Sequence, residues 1–405
     1  MRFYSFTEEP YPEAWNTGAD SLRVKLPNRL CEPEREADLY HEYIDEWQMC
    51  DELGLDIFVN EHHSTATCLT ASANIILAIL ARTTKRARLL ALGFPIGNRP
   101  DPLRVAEELA MIDVISRGRL EMGFVKGVPY EIHPSNSNPA TLTARFWEAH
   151  DFILKAMTSH DGPFAWEGEF FHYRNVNIWP RPWQSPHPPV WISCVSVPSV
   201  AAIASRGHIL GTVMSGYTAK HLFHEYRRVW RESGGAEPFP TDRLCYAGFI
   251  GVGDTEAEGR RRADLVAQYL RTNSIVGEAY RNPPGFVAPA AAARMMKASG
   301  GVTFQSHQVA TKDGKPLGSF AKAGLQDLID GGLLFAGTPD QVYAQIVDFY
   351  DTVGGFDHMQ LMTQAGTMGY ADTAANITLF AKDVMPRLND YAARRRKEAG
   401  LPAMA

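Results

Sequence analysis

An apolar run, Asp56-Ile57-Phe58-Val59, leads directly into Asn60-Glu61-His62-His63. An imidazole, with an ordinary pKa of about 6.5, is the side chain best suited to giving and taking protons near neutral pH. Adjacent residues on a strand face opposite ways. If His62 faces a site, His63 points elsewhere, and Glu61 can orient one of the two. His62 is therefore the candidate general acid/base; a structural histidine bonded to backbone is the plainer alternative. Metal chemistry is not expected. Ligands two apart on a strand share a face, whereas these histidines are adjacent, and the His-Glu-x-x-His zinc pattern is absent. His133, His160, His172 and His208 show no ligand spacing.

Two further stretches could meet an anion. Gly123-Phe124-Val125-Lys126-Gly127 places Lys126 at the end of a predicted strand, between glycines that allow close backbone approach. Trp191-Ile192-Ser193-Cys194-Val195-Ser196 ends a strand, and Val197-Pro198-Ser199 opens a helix with proline in its first turn. The hydroxyls of Ser196 and Ser199, with the free N–H groups of the helix start, suit a phosphate. The plainer readings are an exposed lysine and a Ser196 that only caps its helix. Gly337-Thr338-Pro339-Asp340-Gln341 is a helix start with a capping box and is assigned no chemistry.

The elements that must position these residues follow from hydrophobic periodicity. Strands are predicted at 2–6, 56–60, 87–93, 120–125, 189–194, 209–214, 244–252 and 358–363, with helices between them throughout. Helices at 38–53 and 70–83 flank the second strand. Such alternation implies a parallel sheet, and eight units fit a closed (β/α)8 TIM barrel with insertions. A doubly wound fold would carry a glycine fingerprint after its first strand. Here Thr7-Glu8-Glu9-Pro10 follows, and Gly251-Val252-Gly253 has Glu256 at its third position. Barrel sites lie at the C-terminal strand ends, where His62, Lys126 and Ser196 fall. One domain over 1–405 is expected, with long irregular stretches at 7–36, 160–189 and 273–336, the last read as a lid or insertion. The aromatic-rich 160–189 stretch and the 273–336 insertion are expected to build an apolar pocket. The helix through Ala71–Ala81 is apolar nearly all round, which predicts a homodimer face or cover from the chain's own loops.

Composition narrows the function classes. The 405 residues carry 40 Lys+Arg against 46 Asp+Glu, a net charge of −6, which argues against nucleic acid as a partner. The five cysteines, Cys31, Cys50, Cys68, Cys194 and Cys245, form no CxxC pair, so a reducing, cytoplasmic compartment is expected. The first residues lack a signal-peptide layout, and the longest apolar run, Ile75 to Ala81, is too short to cross a bilayer.

Taken in order, these residues are similar to the bacterial luciferase-like flavin monooxygenases. The resemblance rests on Val59-Asn60-Glu61-His62-His63, on Leu92-Gly93-Phe94-Pro95-Ile96-Gly97-Asn98, on Pro102 to Glu108, and on Ser116-Arg117-Gly118-Arg119-Leu120 running to Phe124. Trp179-Pro180-Arg181-Pro182, Pro186 to Trp191 and Gly337-Thr338-Pro339-Asp340 add to it. It covers roughly 36–270 and 337–388. It implies a barrel, usually dimeric, and FMN supplied reduced by a separate NAD(P)H-dependent flavin reductase. It implies a C4a-peroxyflavin, formed with O₂, that oxygenates a small apolar, aromatic or heterocyclic molecule. His62 matches the catalytic histidine. The flavin is expected against Glu61, Gly93, Phe94, Asn98, Lys126, Cys194, Val195, Ser196 and Ser199. Gly93 and Phe94 lie where the luciferase has a cis peptide. Two departures stand out: Val125 replaces a reactive cysteine and Val195 an acidic residue, so light emission from a long-chain aldehyde is not expected. The alternatives are an F420-dependent oxidoreductase of the same barrel, whose members usually lack Glu-His-His, and a flavin-binding protein without turnover.

Overall fold

The computed structural model describes residues 1–273, 276–299 and 309–404. In chain order the main elements are β1 (Arg2–Thr7), α1 (Pro33–Leu53), β2 (Asp56–Val59), α2 (Ala73–Thr83), β3 (Leu89–Phe94), α3 (Pro102–Ser116), β4 (Leu120–Phe124) and α4 (Leu142–Thr158). A hairpin of β5 (Phe164–Glu167) and β6 (His172–Val176) follows. Then come β7 (Val190–Ser193), α5 (Val197–Ala204), β8 (Ile209–Val213), α6 (Ala219–Glu232), β9 (Leu244–Val252) and α7 (Glu256–Val266). Short helices α8 (Gln268–Asn273), α9 (Glu278–Arg281), α10 (Pro289–Ser299) and α11 (Leu325–Asp330) lead to β10 (Leu334–Gly337). The chain closes with α12 (Pro339–Val353), β11 (His358–Gln364), α13 (Tyr370–Leu379) and α14 (Met385–Glu398).

Strands β1, β2, β3, β4, β7, β8, β9 and β11 pair in that order, and β11 returns to β1. Each of these pairings is parallel, so the eight expected strands form a closed barrel. Both faces of the barrel wall are apolar. Leu89, Ala91, Leu120, Met122, Val190 and Ile192 pack outward with the helices, while Tyr4, Leu90, Leu92, Trp191 and Phe249 fill the interior. Each such side chain contributes about 1.5–3 kcal/mol on burial.

Three elements differ from the sequence reading. β10 is an additional strand that pairs with Phe249–Val252, just beyond the Leu244–Ala247 stretch held by β8. The aromatic segment 160–189 supplies a hairpin lying on α4. Phe152 stacks on Tyr173 at 4.7 Å, and Glu148 accepts from the Trp166 indole at 3.2 Å. Its aromatics therefore clothe a helix rather than line the mouth. Finally, α2 begins at Ala73, not at residue 70. The Ala73 N–H donates to Glu61 Oε2 at 3.1 Å, while the Thr70 hydroxyl is drawn away to Glu9. The insertion at 273–336 carries α9, α10 and α11; its residues 274–275 and 300–308 lie outside the described residues. Among the described residues no helix is long and apolar enough to cross a membrane.

The capping box read at Thr338 forms: the hydroxyl accepts from Gln341 N at 3.4 Å, and Gln341 Oε1 accepts from Thr338 N at 2.9 Å. Thr338→Ala is expected to lower unfolding stability by about 1 kcal/mol, read from denaturant midpoints.

Candidate active site

The site is built where β2 leaves the barrel. The His62 N–H donates to Thr70 O at 3.1 Å, which fixes the backbone of the turn. The imidazole is largely buried, and its Nδ1 lies 2.8 Å from Glu131 Oε1. Glu131 sits in the short turn Pro129–Ile132 after β4, and its other oxygen accepts from Val128 N at 3.0 Å. The carboxylate is thus held from both sides, and His62 can donate only from Nδ1 toward it. That leaves Nε2, which has no partner among the described residues, as the nitrogen free to act. Burial pushes the imidazolium pKa down, but the Glu131 hydrogen bond and charge, with the charge of Glu8, outweigh it and raise the pKa above its ordinary value.

Around this pair lies a buried polar cluster that the sequence did not announce. The Tyr130 hydroxyl is 3.5 Å from His62 Nδ1 and accepts from Arg23 Nη1 at 2.5 Å. Asn60 Nδ2 donates to Glu8 Oε1 at 3.3 Å. Burial pushes the Glu8 carboxyl up to about 7 and that of Glu9 to about 8. A Glu-Glu pair directly after the first barrel strand was the one available signal; Glu131, Tyr130 and Arg23 sit in loops without a recognisable spacing.

The other expected site residues fall into distinct groups. Glu61 is buried and fully engaged: it accepts from Arg99, from His63 Nε2 at 3.2 Å and from the α2 N-terminus, so it orients His63 and not His62. The peptide Leu92–Gly93 is cis. A Cβ on Gly93 would lie 2.5 Å from Val125 Cγ1, so only glycine fits between the ends of β3 and β4. Phe94 is wholly buried, and its carbonyl accepts from Val125 N at 2.9 Å. The Asn98 side chain is buried, with neither amide atom partnered among the described residues. The position of a Cβ on Gly127 falls 3.0 Å from Asn98 Nδ2 and 3.1 Å from Glu131 Oε2, so this amide stands close to the His62–Glu131 pair.

Lys126 is committed to the insertion. Its Nζ donates to Phe286 O at 2.8 Å and lies 4.1 Å from the Phe286 ring centroid, and burial lowers its pKa. Ser196 and Ser199 are exposed, with hydroxyls 2.8 Å apart. Ser196 makes no cap bond to α5, so the plain capping role is not the one it plays. Cys194 is buried beneath the turn; its thiol sulfur accepts from Ser196 N at 3.4 Å and sets the path of the partly exposed Val195. A cavity of 740 Å³ opens at the opposite, N-terminal face, lined by Arg2, Gly54, Asp56 and Arg396, and contains none of these groups.

Known proteins are similar to this chain in sequence and in fold. The oxygenase component of a flavin-dependent trigonelline monooxygenase from Acinetobacter baylyi (strain ATCC 33305 / BD413 / ADP1) is 29% identical over 178 residues, 43% of this chain and 48% of that one. The chain spans about half the length of the first curated relatives it matches. A 4-hydroxyprotoasukamycin monooxygenase from Streptomyces nodosus subsp. asukaensis is 24% identical over 353 residues, 85% of each chain. Among solved structures, monooxygenase RslO1 from Streptomyces bottropensis superposes with a TM-score of 0.70 at 22% identity, covering 96% of this chain and 100% of that one. The oxygenating constituent of 3,6-diketocamphane monooxygenase from Pseudomonas putida, in complex with FMN, gives 0.68 at 18% identity, covering 95% and 98%. A coenzyme F420-dependent tetrahydromethanopterin reductase from Methanopyrus kandleri gives 0.61 at 17%, covering 95% and 98%. These superpositions establish the fold. The sequence model of the luciferase-like monooxygenases matches residues 23–355, more than half of the chain, and places it as a member of the luciferase-like monooxygenase family.

Proposed function

We propose that this protein is the oxygenase component of a two-component flavin-dependent monooxygenase. It takes reduced FMN from a separate NAD(P)H-dependent flavin reductase and uses O₂ to oxygenate a small apolar, aromatic or heterocyclic molecule. The observation that carries the reading is the His62–Glu131 pair at the barrel mouth, with Nδ1 locked and Nε2 open. The relatives named as monooxygenases support it. The residues fit the cofactor. The paired hydroxyls of Ser196 and Ser199 and the first N–H groups of α5 suit its phosphate. The unpartnered Asn98 amide and the Gly93 backbone, where no Cβ fits, suit the polar edge of its ring. Lys126 adds positive potential without a free ammonium, because Phe286 holds it.

When bound, reduced FMN supplies the electrons that activate O₂. The chain's own residues do the rest. His62 holds a proton at Nε2 for delivery to the reacting oxygen and can take one back. Glu131 fixes the ring and stabilises its charged form. The apolar barrel interior keeps water from the reacting atoms. Reconstitution with NADPH, FMN, a purified flavin reductase and ¹⁸O₂ tests the reading. One labelled oxygen in a product is expected, and turnover of every candidate substrate without label would reject it. The F420-dependent alternative shares the fold.

We also propose a homodimer and a reducing, cytoplasmic location; all five cysteines are free thiols. Ile75 (64% exposed) and Ile79 on α2, and Met111 and Ile115 on α3, are exposed apolar side chains on two helices that pack together. Exposed apolar side chains grouped in this way mark an association surface. The double change Ile75→Glu and Met111→Glu should convert a dimer to a folded monomer by sedimentation velocity. Unchanged sedimentation would remove this face from consideration.

A further inference from the structure

Arg23 lies in the loop after β1 and is wholly buried. Its backbone is clamped. Ser21 Oγ donates to Arg23 O at 2.8 Å and accepts from Arg23 N at 3.1 Å, and Arg23 bridges Thr65 in the loop that follows His62 and His63. Val24 N donates to Ser64 O at 2.5 Å. The side chain is therefore delivered inward by two loops of the mouth. Its Nη1 donates to the Tyr130 hydroxyl, while Nε and Nη2 have neither a hydrogen-bond partner nor solvent among the described residues. Buried guanidinium groups are normally paired with a carboxylate, because an unpaired buried cation is costly. Among the described residues Arg23 has no such ion pair.

The two empty positions are informative. Nε–H and one N–H of Nη2 lie parallel along a single edge of the guanidinium, the edge that receives both oxygens of a carboxylate side-on. The third position, Nη1, is spent on Tyr130, whose hydroxyl also lies 3.5 Å from His62 Nδ1. The vacant fork is thus one tyrosine hydroxyl away from the proposed proton-handling histidine. Glu8 is the carboxylate whose charge favours the Arg23 cation, but among the described residues it spends Oε1 on Asn60 and leaves Oε2 unpartnered instead of turning to Arg23.

We propose that Arg23 is the receptor for a carboxylate carried by the substrate, held side-on by Nε and Nη2 next to His62. This inference rests on the reading of the mouth as the oxygenation site. It narrows the substrate class from small apolar molecules to small organic acids, with the apolar part of the acid facing the barrel interior.

The test is calorimetric binding to the full chain of benzoate, cinnamate and octanoate, each against its primary amide. Titration with reduced FMN is run on the same preparations. At least one acid is expected to bind about ten-fold or more tighter than its amide, since the amide cannot pair a buried cation. Arg23→Met should abolish that preference. Arg23→Lys keeps the charge but not the fork, and should weaken the acid by about ten-fold; it serves as the readout if the methionine variant does not fold. Glu8→Gln should leave the preference in place. Equal binding of every acid and amide, or a preference that survives in Arg23→Met or Arg23→Lys, overturns the proposal. So does a preference lost in Glu8→Gln, which would make Glu8 the structural counter-ion. A protein that binds reduced FMN but no acid refutes the Arg23 receptor alone. An Arg23-dependent preference without reduced-FMN binding refutes the flavin reading alone.

Discussion

His62→Ala is expected to lose oxygenated product by roughly 10²–10⁴-fold in kcat, the usual worth of a positioned acid/base. Affinity for reduced FMN should stay within about two-fold of the parent protein. The split follows from geometry. The imidazole is held by Glu131 and not by the Ser196–Ser199 end, so removing it subtracts a proton donor while the proposed phosphate site is untouched. The backbone N–H of residue 62 still meets Thr70 O, so the turn survives the change. Product formation measured under single turnover with excess reduced FMN reads the effect directly. Product at the parent rate would strip His62 of its role and leave it a structural residue.

Glu131→Gln is expected to reduce kcat by roughly 10–100-fold, the usual effect of removing the partner that orients a functional histidine. It should also move the high-pH limb of activity to lower pH. The sign is fixed by the charge that is lost. Burial alone lowers the His62 pKa, and Glu131 is the main group that raises it above the ordinary value. Without that carboxylate the imidazolium gives up its proton at lower pH. The same pairing stabilises the fold most fully below the unfolded-state pKa of histidine, and that contribution fades as pH rises through the raised folded-state value. The stability gap between parent and variant should therefore be larger at pH 5.5 than at pH 9. Thermal midpoints at the two pH values check this, and a gap of equal size at both would show that Glu131 acts only through packing.

The barrel was legible because eight apolar strand patterns alternate with helical ones, and the pairing order of a parallel barrel then follows the chain. β10 was not legible. It has four residues, lies between glycine turns and finds its partner only along the upper half of β9. The start of α2 was misplaced because its first N–H is satisfied by Glu61 from the preceding strand end, a tertiary contact, and not by a local side chain. In the site, His62 was legible from its place at a strand end. Its partner Glu131 is 69 positions away in an irregular turn, and only the pairing of β2 and β4 on either side of β3 brings them close enough to meet. Lys126 read as a free cation, yet the insertion folds back from 160 positions away and takes its ammonium. The aromatic stretch at 160–189 read as a pocket wall because composition does not say which surface a hairpin covers; Phe152 and Glu148 on α4 decide it.

The most direct test of the central claim is an anaerobic titration of the protein with photoreduced FMN, set beside the same titration with reduced F420. The account predicts saturable binding of reduced FMN, weaker or no binding of F420, and reoxidation of the bound FMN on mixing with O₂ at a rate different from that of free FMN. Saturable binding of reduced F420 with none of reduced FMN would contradict it.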